Sequence, residues 1–308
     1  MAVVQVLNKK RKKKKIDVKR TLFIIAMLAV PILHFLVFFI YVNIDSVVMT
    51  FRTFNYSQEQ YIWGLQNYKR FFSEAFSSTN KEIATATLNS LFFGLNDFVL
   101  VLISLVLSYF FFKKIPGRQF FRVIFFLPSI ISIVIYTSIY SSFFEPGYGI
   151  SVIIEKLGGE APLFLADKDL ARWLVAFYCL WVGTGYNILI FGGAMANINT
   201  EVIEYAKLDG VGMFKELFCI ILPMIWPTLS VAFLGSVTTI FTIFLQSQLI
   251  VGKDALATPK TIAFILNNTI SSNPEWAATI GICFTVVATP MILIVRKIID
   301  LVGKKFGY

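Results

Sequence analysis

The chain has 308 residues, 57% of them hydrophobic and only 15% charged, with 32 phenylalanines. A soluble domain is nearer half apolar and a quarter charged, so the composition excludes a chain built of soluble domains and implies a polytopic membrane protein. The net charge of +10 does not describe a nucleic-acid surface either, because nine of the 28 basic residues crowd between Lys9 and Arg20.

In chain order, residues 1–20 carry the run Lys9–Lys15 and read as a disordered cytoplasmic tail that sets topology or attracts anionic lipid. The apolar run Thr21–Val42 follows. It is too long for a signal-peptide core and has no small-residue cleavage site after it, so it reads as a retained spanning helix. A polar and aromatic loop, 43–87, leads to a second span from Leu88 to Phe112. The basic connector Lys113–Arg118 precedes a third span, expected as one helix from Phe121 to Phe144 with Pro128 near its start. An acidic loop at 145–169 leads to a fourth span, Leu170–Ala196. A connector at 197–223, a fifth span from Pro227 to Leu245, a polar loop at 247–277 and a sixth span, Ala278–Val302, complete an all-α, six-span membrane domain over 21–308.

Lys and Arg counts orient these spans. The tail has nine, the 113–122 connector four and the stretch from Arg296 four, against two each in the 145–169 and 247–277 loops and four in the longer 43–87 loop. With six spans, both termini and the 113–122 connector face the cytoplasm, and the 197–223 connector must join them. That connector has two basic residues and four acids, so it resists the charge bias and reads as kept for a partner.

Its local pattern is that of a short helix. Asn199 or Thr200 can cap it, Glu201 and Glu204 sit near its positive end, and Val202, Tyr205 and Ala206 share a face. Asp209-Gly210 stops it, since glycine tolerates positive φ. A second amphipathic run, Met213–Leu222, leads to Pro223 and Pro227, an elbow before the fifth span.

Catalytic signals are missing. There is no GxxxxGK[ST] loop to hold ATP phosphates, no HExxH and no GxSxG. Cys179, Cys219 and Cys283 are scattered and His34 is the sole histidine, which leaves neither a disulfide framework, a metal set nor a nucleophile–histidine pair. His34 reads as a packed or lipid-facing residue. Asp97, beside Asn96, is the one acid well inside a span; it reads as a substrate or proton contact, or as a local hydrogen bond or subunit contact. Gly183, Gly185, Gly192 and Gly193 permit close helix packing. Tyr186 and Asn187 between them offer either a cavity lining or subunit packing, and Gln246 and Gln248 sit at an interface.

The pattern Glu204-x-Ala206-x-x-Asp209-Gly210-x9-Ile220-x-Leu222-Pro223 resembles the EAA loop of ABC importer membrane subunits. Gly64-Leu65-x-Asn67-Tyr68, Pro116-Gly117-Arg118 with Phe126-Leu127-Pro128, Phe144-x-Pro146-x-Tyr148-Gly149 and Trp181-x-Gly183-x-Gly185-Tyr186-Asn187 are similar to binding-protein-dependent carbohydrate permeases of the maltose and glycerol-phosphate type. The resemblance implies a six-helix type I importer fold in a bacterial-type plasma membrane, with a second permease subunit, two ATP-binding subunits and an extracellular solute-binding protein as partners. Mg-ATP would then sit on those partners, with no cofactor in this chain, and the cargo would be a sugar, an oligosaccharide or a solute such as glycerol phosphate. It assigns ATPase coupling to Glu204, Ala206, Asp209, Gly210, Leu222 and Pro223, and a substrate path to Gly183, Tyr186, Asn187 and Ser236. Tyr205 and Val211 depart from the usual alanines. Ile240 and Ile243 stand where asparagines line the pocket of maltose-type members, and Val251-Gly-Lys-Asp-Ala replaces their glycine-rich loop. An ion-coupled transporter using Asp97 and a non-transporting scaffold are the rival classes.

Overall fold

A computed structural model describes residues 18–55, 59–76, 81–252 and 256–307. The Lys9–Lys15 run and residues 253–255 of the outer loop lie outside the described residues. Four helices are each long and apolar enough to cross a bilayer alone: Thr21–Thr50, Glu82–Phe112, Lys168–Ala196 and Pro274–Lys305. Two more spans are broken, and counting each once gives the six that hydropathy predicts.

The third span is the larger departure. Instead of one helix over Phe121–Phe144, Arg118–Ile130 and the Ile133–Lys156 segment meet at 108°. Ile131 and Ser132 between them are extended, with ψ of 142° and 134°. Pro128, one turn earlier, gives no N–H to the helix ladder. Pro128, Ser129, Ile131 and Ile133 line a cavity, the setting in which irregular backbone is tolerated at membrane depth. In the fifth span, Met213–Met224 turns by 83° into Trp226–Thr242, so the proline elbow exists, centred on Ile225. This span ends at Thr242, short of Leu245, because Ile243 is extended; its carbonyl accepts from the buried Thr261 hydroxyl.

The first rod runs on to Thr50 through a π-helical stretch, Phe35–Tyr41. None of its most apolar window is buried in this chain; its outer end, Val42–Thr50, packs on Pro274–Lys305. The loop after it is ordered by the Gly64-Leu65-x-Asn67-Tyr68 motif. Strands Arg52–Asn55 and Gln60–Trp63 pair antiparallel. Asn67, buried, donates to the carbonyls of Thr50 and Arg52, and the Tyr68 hydroxyl meets Thr50 at 2.8 Å. That motif closes a helix end; its polar atoms are occupied.

Glu82–Phe112 is the central helix, packed against both Lys168–Ala196 and Trp226–Thr242. At about 1.5 Å per residue its 31 residues exceed a hydrocarbon core of roughly 30 Å, so its last turn projects past the membrane. Small residues set the approach. A Cβ on Gly183 would overlap Leu100, one on Gly94 would overlap Ile240, and one on Gly185 would strike the Phe125 carbonyl. A Cβ on Gly193 would meet nothing within 4 Å.

These geometries predict opposite signs for one substitution. Gly193→Ala should be neutral or stabilising, because alanine is the better helix former by up to about 1 kcal/mol. Gly185→Ala should destabilise by about 1–3 kcal/mol, because the Phe125 backbone cannot give way as a side-chain tip can. Thermal denaturation of the detergent-solubilised protein measures both.

Candidate functional site

The 197–223 connector folds as its sequence implies. Asn199 caps the helix Thr200–Leu208, its Oδ1 accepting from the Glu201 N–H at 3.1 Å. Gly210 adopts φ +67°, the Val211 N–H reaches the Ala206 carbonyl at 3.0 Å and the Gly210 N–H reaches Lys207 at 3.1 Å. This is a Schellman ending, in which glycine satisfies two orphan carbonyls. The buried face is shifted from the expected one: Ile203 and Ala206 point inward, whereas Tyr205 is exposed. Met213–Glu216, a π-helical turn Leu217–Ile221 and Leu222–Met224 follow.

The inward residues join the largest core of the protein. Ile203, Leu217 and Ile221 pack with Val101, Leu105 and Tyr109 of the central helix, Phe191 and Met195 of the fourth span, Leu229 of the fifth and Ile299 of the sixth. Two polar contacts reinforce it. The Tyr109 hydroxyl donates to the Met213 carbonyl at 3.1 Å, and Lys113 Nζ sits 2.6 Å from Glu216 Oε2. The Glu216 side chain is only 3% exposed. Sequence reasoning counted Lys113 as a topology charge and Glu216 as one of four loop acids; 103 residues apart, they carry no local signal of pairing.

The outward residues include, besides charged ones, four large apolar side chains. Tyr205, Leu208, Phe214 and Phe218 are 65%, 82%, 73% and 54% exposed, on a segment that charge counting puts in the cytoplasm rather than in lipid. Among the carried-over coupling residues, Glu204, Asp209 and Gly210 are exposed, Ala206 is buried, and Leu222 and Pro223 are half-buried.

The substrate-path residues divide between two cavities. Gly183 lines an outer one of about 600 Å³, with Tyr178, Thr242 and Gln246. Tyr186 and Asn187 line an inner one of about 690 Å³, with Thr228, Gly235 and Thr238. Both lie within the size range of small-molecule sites, roughly 300–1,000 Å³. Ser236 is fully buried and lines neither. Asp97 and Thr239 line both. The Ser236 and Thr239 hydroxyls donate to the Ala232 and Gly235 carbonyls of their own helix, each at 3.3 Å, while Asn96 donates to the Ala176 carbonyl at 3.2 Å. Thr239 is the residue that sequence reasoning missed; its spacing of three from Ser236 puts both hydroxyls on one helix face.

A core that ties four spanning helices to a capped, apolar-faced connector, above paired cavities in the bundle, defines a membrane transport subunit. The sequence matches the model of the binding-protein-dependent transport system inner membrane component family over residues 100–307, and the chain belongs to that family. It is 27% identical over 230 residues to the probable ABC transporter permease protein YurN of Bacillus subtilis, covering 72% of this chain and 77% of that one. It is 28% identical over 149 residues to the maltose/maltodextrin permease MalF of Salmonella typhimurium, covering 47% and 29% of the two chains. Its fold is similar, with a TM-score of 0.79 and 21% identity over 94% of this chain and 97% of the other, to a chain of a bacterial alginate ABC transporter solved with its alginate pentasaccharide-bound periplasmic protein.

Breaking the Lys113–Glu216 pair should expose its importance. Glu216→Leu alone leaves a largely buried ammonium without its partner and should destabilise by roughly 3–5 kcal/mol, and Lys113→Met alone strands the buried carboxylate in the same way. The double variant Lys113→Met, Glu216→Leu should recover most of that loss. Thermal shifts of the two single variants and the double close the cycle.

Proposed function

We propose that this chain is one of two permease subunits of an ATP-driven importer for a sugar or oligosaccharide. The observation that carries the reading is the exposed Tyr205–Leu208–Phe214–Phe218 patch on a helix pair rooted in the spanning core. A contiguous apolar patch facing water marks a docking surface. Here its occupant is an ATP-binding subunit, which holds Mg-ATP and supplies the hydrolysis. The carbohydrate assignment rests on the family match and on relatives such as the maltose permease.

In this reading both termini and the 113–122 connector are cytoplasmic, and an extracellular solute-binding protein delivers cargo to the opposite face. ATP binding closes the two ATP-binding subunits on each other. Each grips its permease through the Glu204–Pro223 segment, and the grip passes through Ile203, Leu217, Ile221 and the Lys113–Glu216 pair to the cytoplasmic ends of the spans. The bundles then tilt as bodies and reverse the side to which the cavities open. The elbow at Ile225 turns a sideways pull on the connector into rotation of the fifth span. Chemistry is confined to the partners; this chain binds, guides and moves.

The reading is tested at Leu208, which is 82% exposed. Leu208→Glu should leave the permease folded, lower co-purification of the ATP-binding subunits by about tenfold or more, as loss of a central interface anchor does, and abolish ATP-driven uptake. Unchanged co-purification and uptake would remove the docking role. Uptake that follows an ion gradient without any ATP-binding subunit would replace it with a secondary transporter.

A further inference from the structure

We propose that Asp97, with Thr239, is a charge filter at the waist of the transport path, passing saccharides without acidic groups and rejecting those that carry carboxylates. The inference rests on the carbohydrate-importer reading above and narrows its cargo.

Position is the first argument. The outer and inner cavities share only two lining residues, Asp97 and Thr239. A solute moving from one to the other passes that pair. Asp97 is also the one charged residue in either lining, so no cation in the path offsets it. Nor does any Lys or Arg among the described residues form an ion pair with it. A carboxylate held inside a span at such cost is expected to serve a substrate or an ion.

Register is the second. Gly94, one turn before Asp97, lets the Ile240 side chain pack directly on the central helix. Ile240, 8% exposed, is thereby packed away from the cavities, while Ile243 lines the outer one. The fifth span adds Thr238, Thr239 and Thr242 to the linings, so Asp97 of the second span faces volume that is otherwise bordered by uncharged polar and apolar side chains.

Chemistry is the third. A carboxylate is an acceptor with about four lone-pair sites and no donor. Asp97 lines both cavities, so its acceptor sites face open volume. Neighbouring sugar hydroxyls, which donate, satisfy them, and an ammonium does so more strongly. A uronate carboxylate brings a second negative charge into a low-dielectric constriction and is repelled. The likeness to the alginate transporter extends to the fold, whereas Asp97 sets this chain against acidic cargo.

The test uses the complete importer in proteoliposomes, with its ATP-binding subunits, second permease and solute-binding protein. The labelled probes are maltotriose, the trimer of glucosamine and trigalacturonate. The wild type should take up maltotriose or the glucosamine trimer and exclude trigalacturonate. Asp97→Asn should lower uptake of the accepted probe by about tenfold, the value of one charge-assisted hydrogen bond, and Asp97→Glu should retain most of it. Binding of each probe to the isolated solute-binding protein and stimulation of ATP hydrolysis by that protein separate a path defect from a delivery or assembly defect. If Asp97→Asn fails to assemble, the wild-type ranking of the three probes still decides. Trigalacturonate uptake matching that of the neutral probe, or Asp97→Asn uptake within twofold of wild type, overturns the filter and leaves the importer reading standing. ATP-driven uptake of a non-carbohydrate solute, with none of the three probes moved, overturns both.

Discussion

Burial of Ile203, Leu217 and Ile221 against the second, fourth, fifth and sixth spans is the contact on which the rest depends. Each apolar side chain buried there contributes on the order of 1.5–3 kcal/mol. The larger consequence is mechanical. Close-packed interiors transmit displacement, because their parts have few ways to slide past one another. A connector of free loop would absorb a partner's pull; one whose every other turn is fixed in the bundle core passes it on. The Lys113–Glu216 pair and the Tyr109–Met213 hydrogen bond add direction to that hydrophobic anchorage, tying the connector to the projecting last turn of the central helix.

The same logic explains why the connector wears two unlike faces. Its inward face obeys the rules of a core, and its outward face violates the rules of a cytoplasmic surface. Leu208 and Phe214 lie in water without shelter from this chain. Glu201, Glu204 and Asp209 of the same segment are exposed as well. The membrane imposes a parallel constraint on the cavities. Broken backbone at Ile131–Ser132 and at Ile243–Phe244 lies on the outer cavity, where polar atoms find partners that lipid would not supply.

Much of this was legible in the residues. Six apolar runs, the Asp209-Gly210 stop and the close contacts at Gly183 and Gly185 each rest on local chemistry, and the folded chain realises them, whereas Gly192 and Gly193 approach no other helix closely. The capping asparagine and the left-handed Gly210 follow from spacing alone. What was not legible depended on distant partners. Helical spacing placed Tyr205 with Val202 and Ala206, but the spans cover Ile203 instead, and no period within nine residues reveals which side a neighbour occupies. The third span read as continuous because Pro128 near a helix end is often tolerated; the break needs the cavity beside it. Lys113 and Glu216 find each other across 103 residues, which only the fold brings together. Asp97 stood out as an intramembrane acid, yet its place between two cavities depended on Gly94 admitting Ile240.

If the connector is anchored as its packing implies, connector and bundle move as one piece, and spin labels on the exposed Glu201 and Lys114 of the assembled importer read that motion. The distance distribution between them should be the same with and without ATP, while the distance from either label to the second permease changes. A Glu201–Lys114 distance that shifts on ATP binding would mean that the connector swings on its own and that the packed core does not carry the motion.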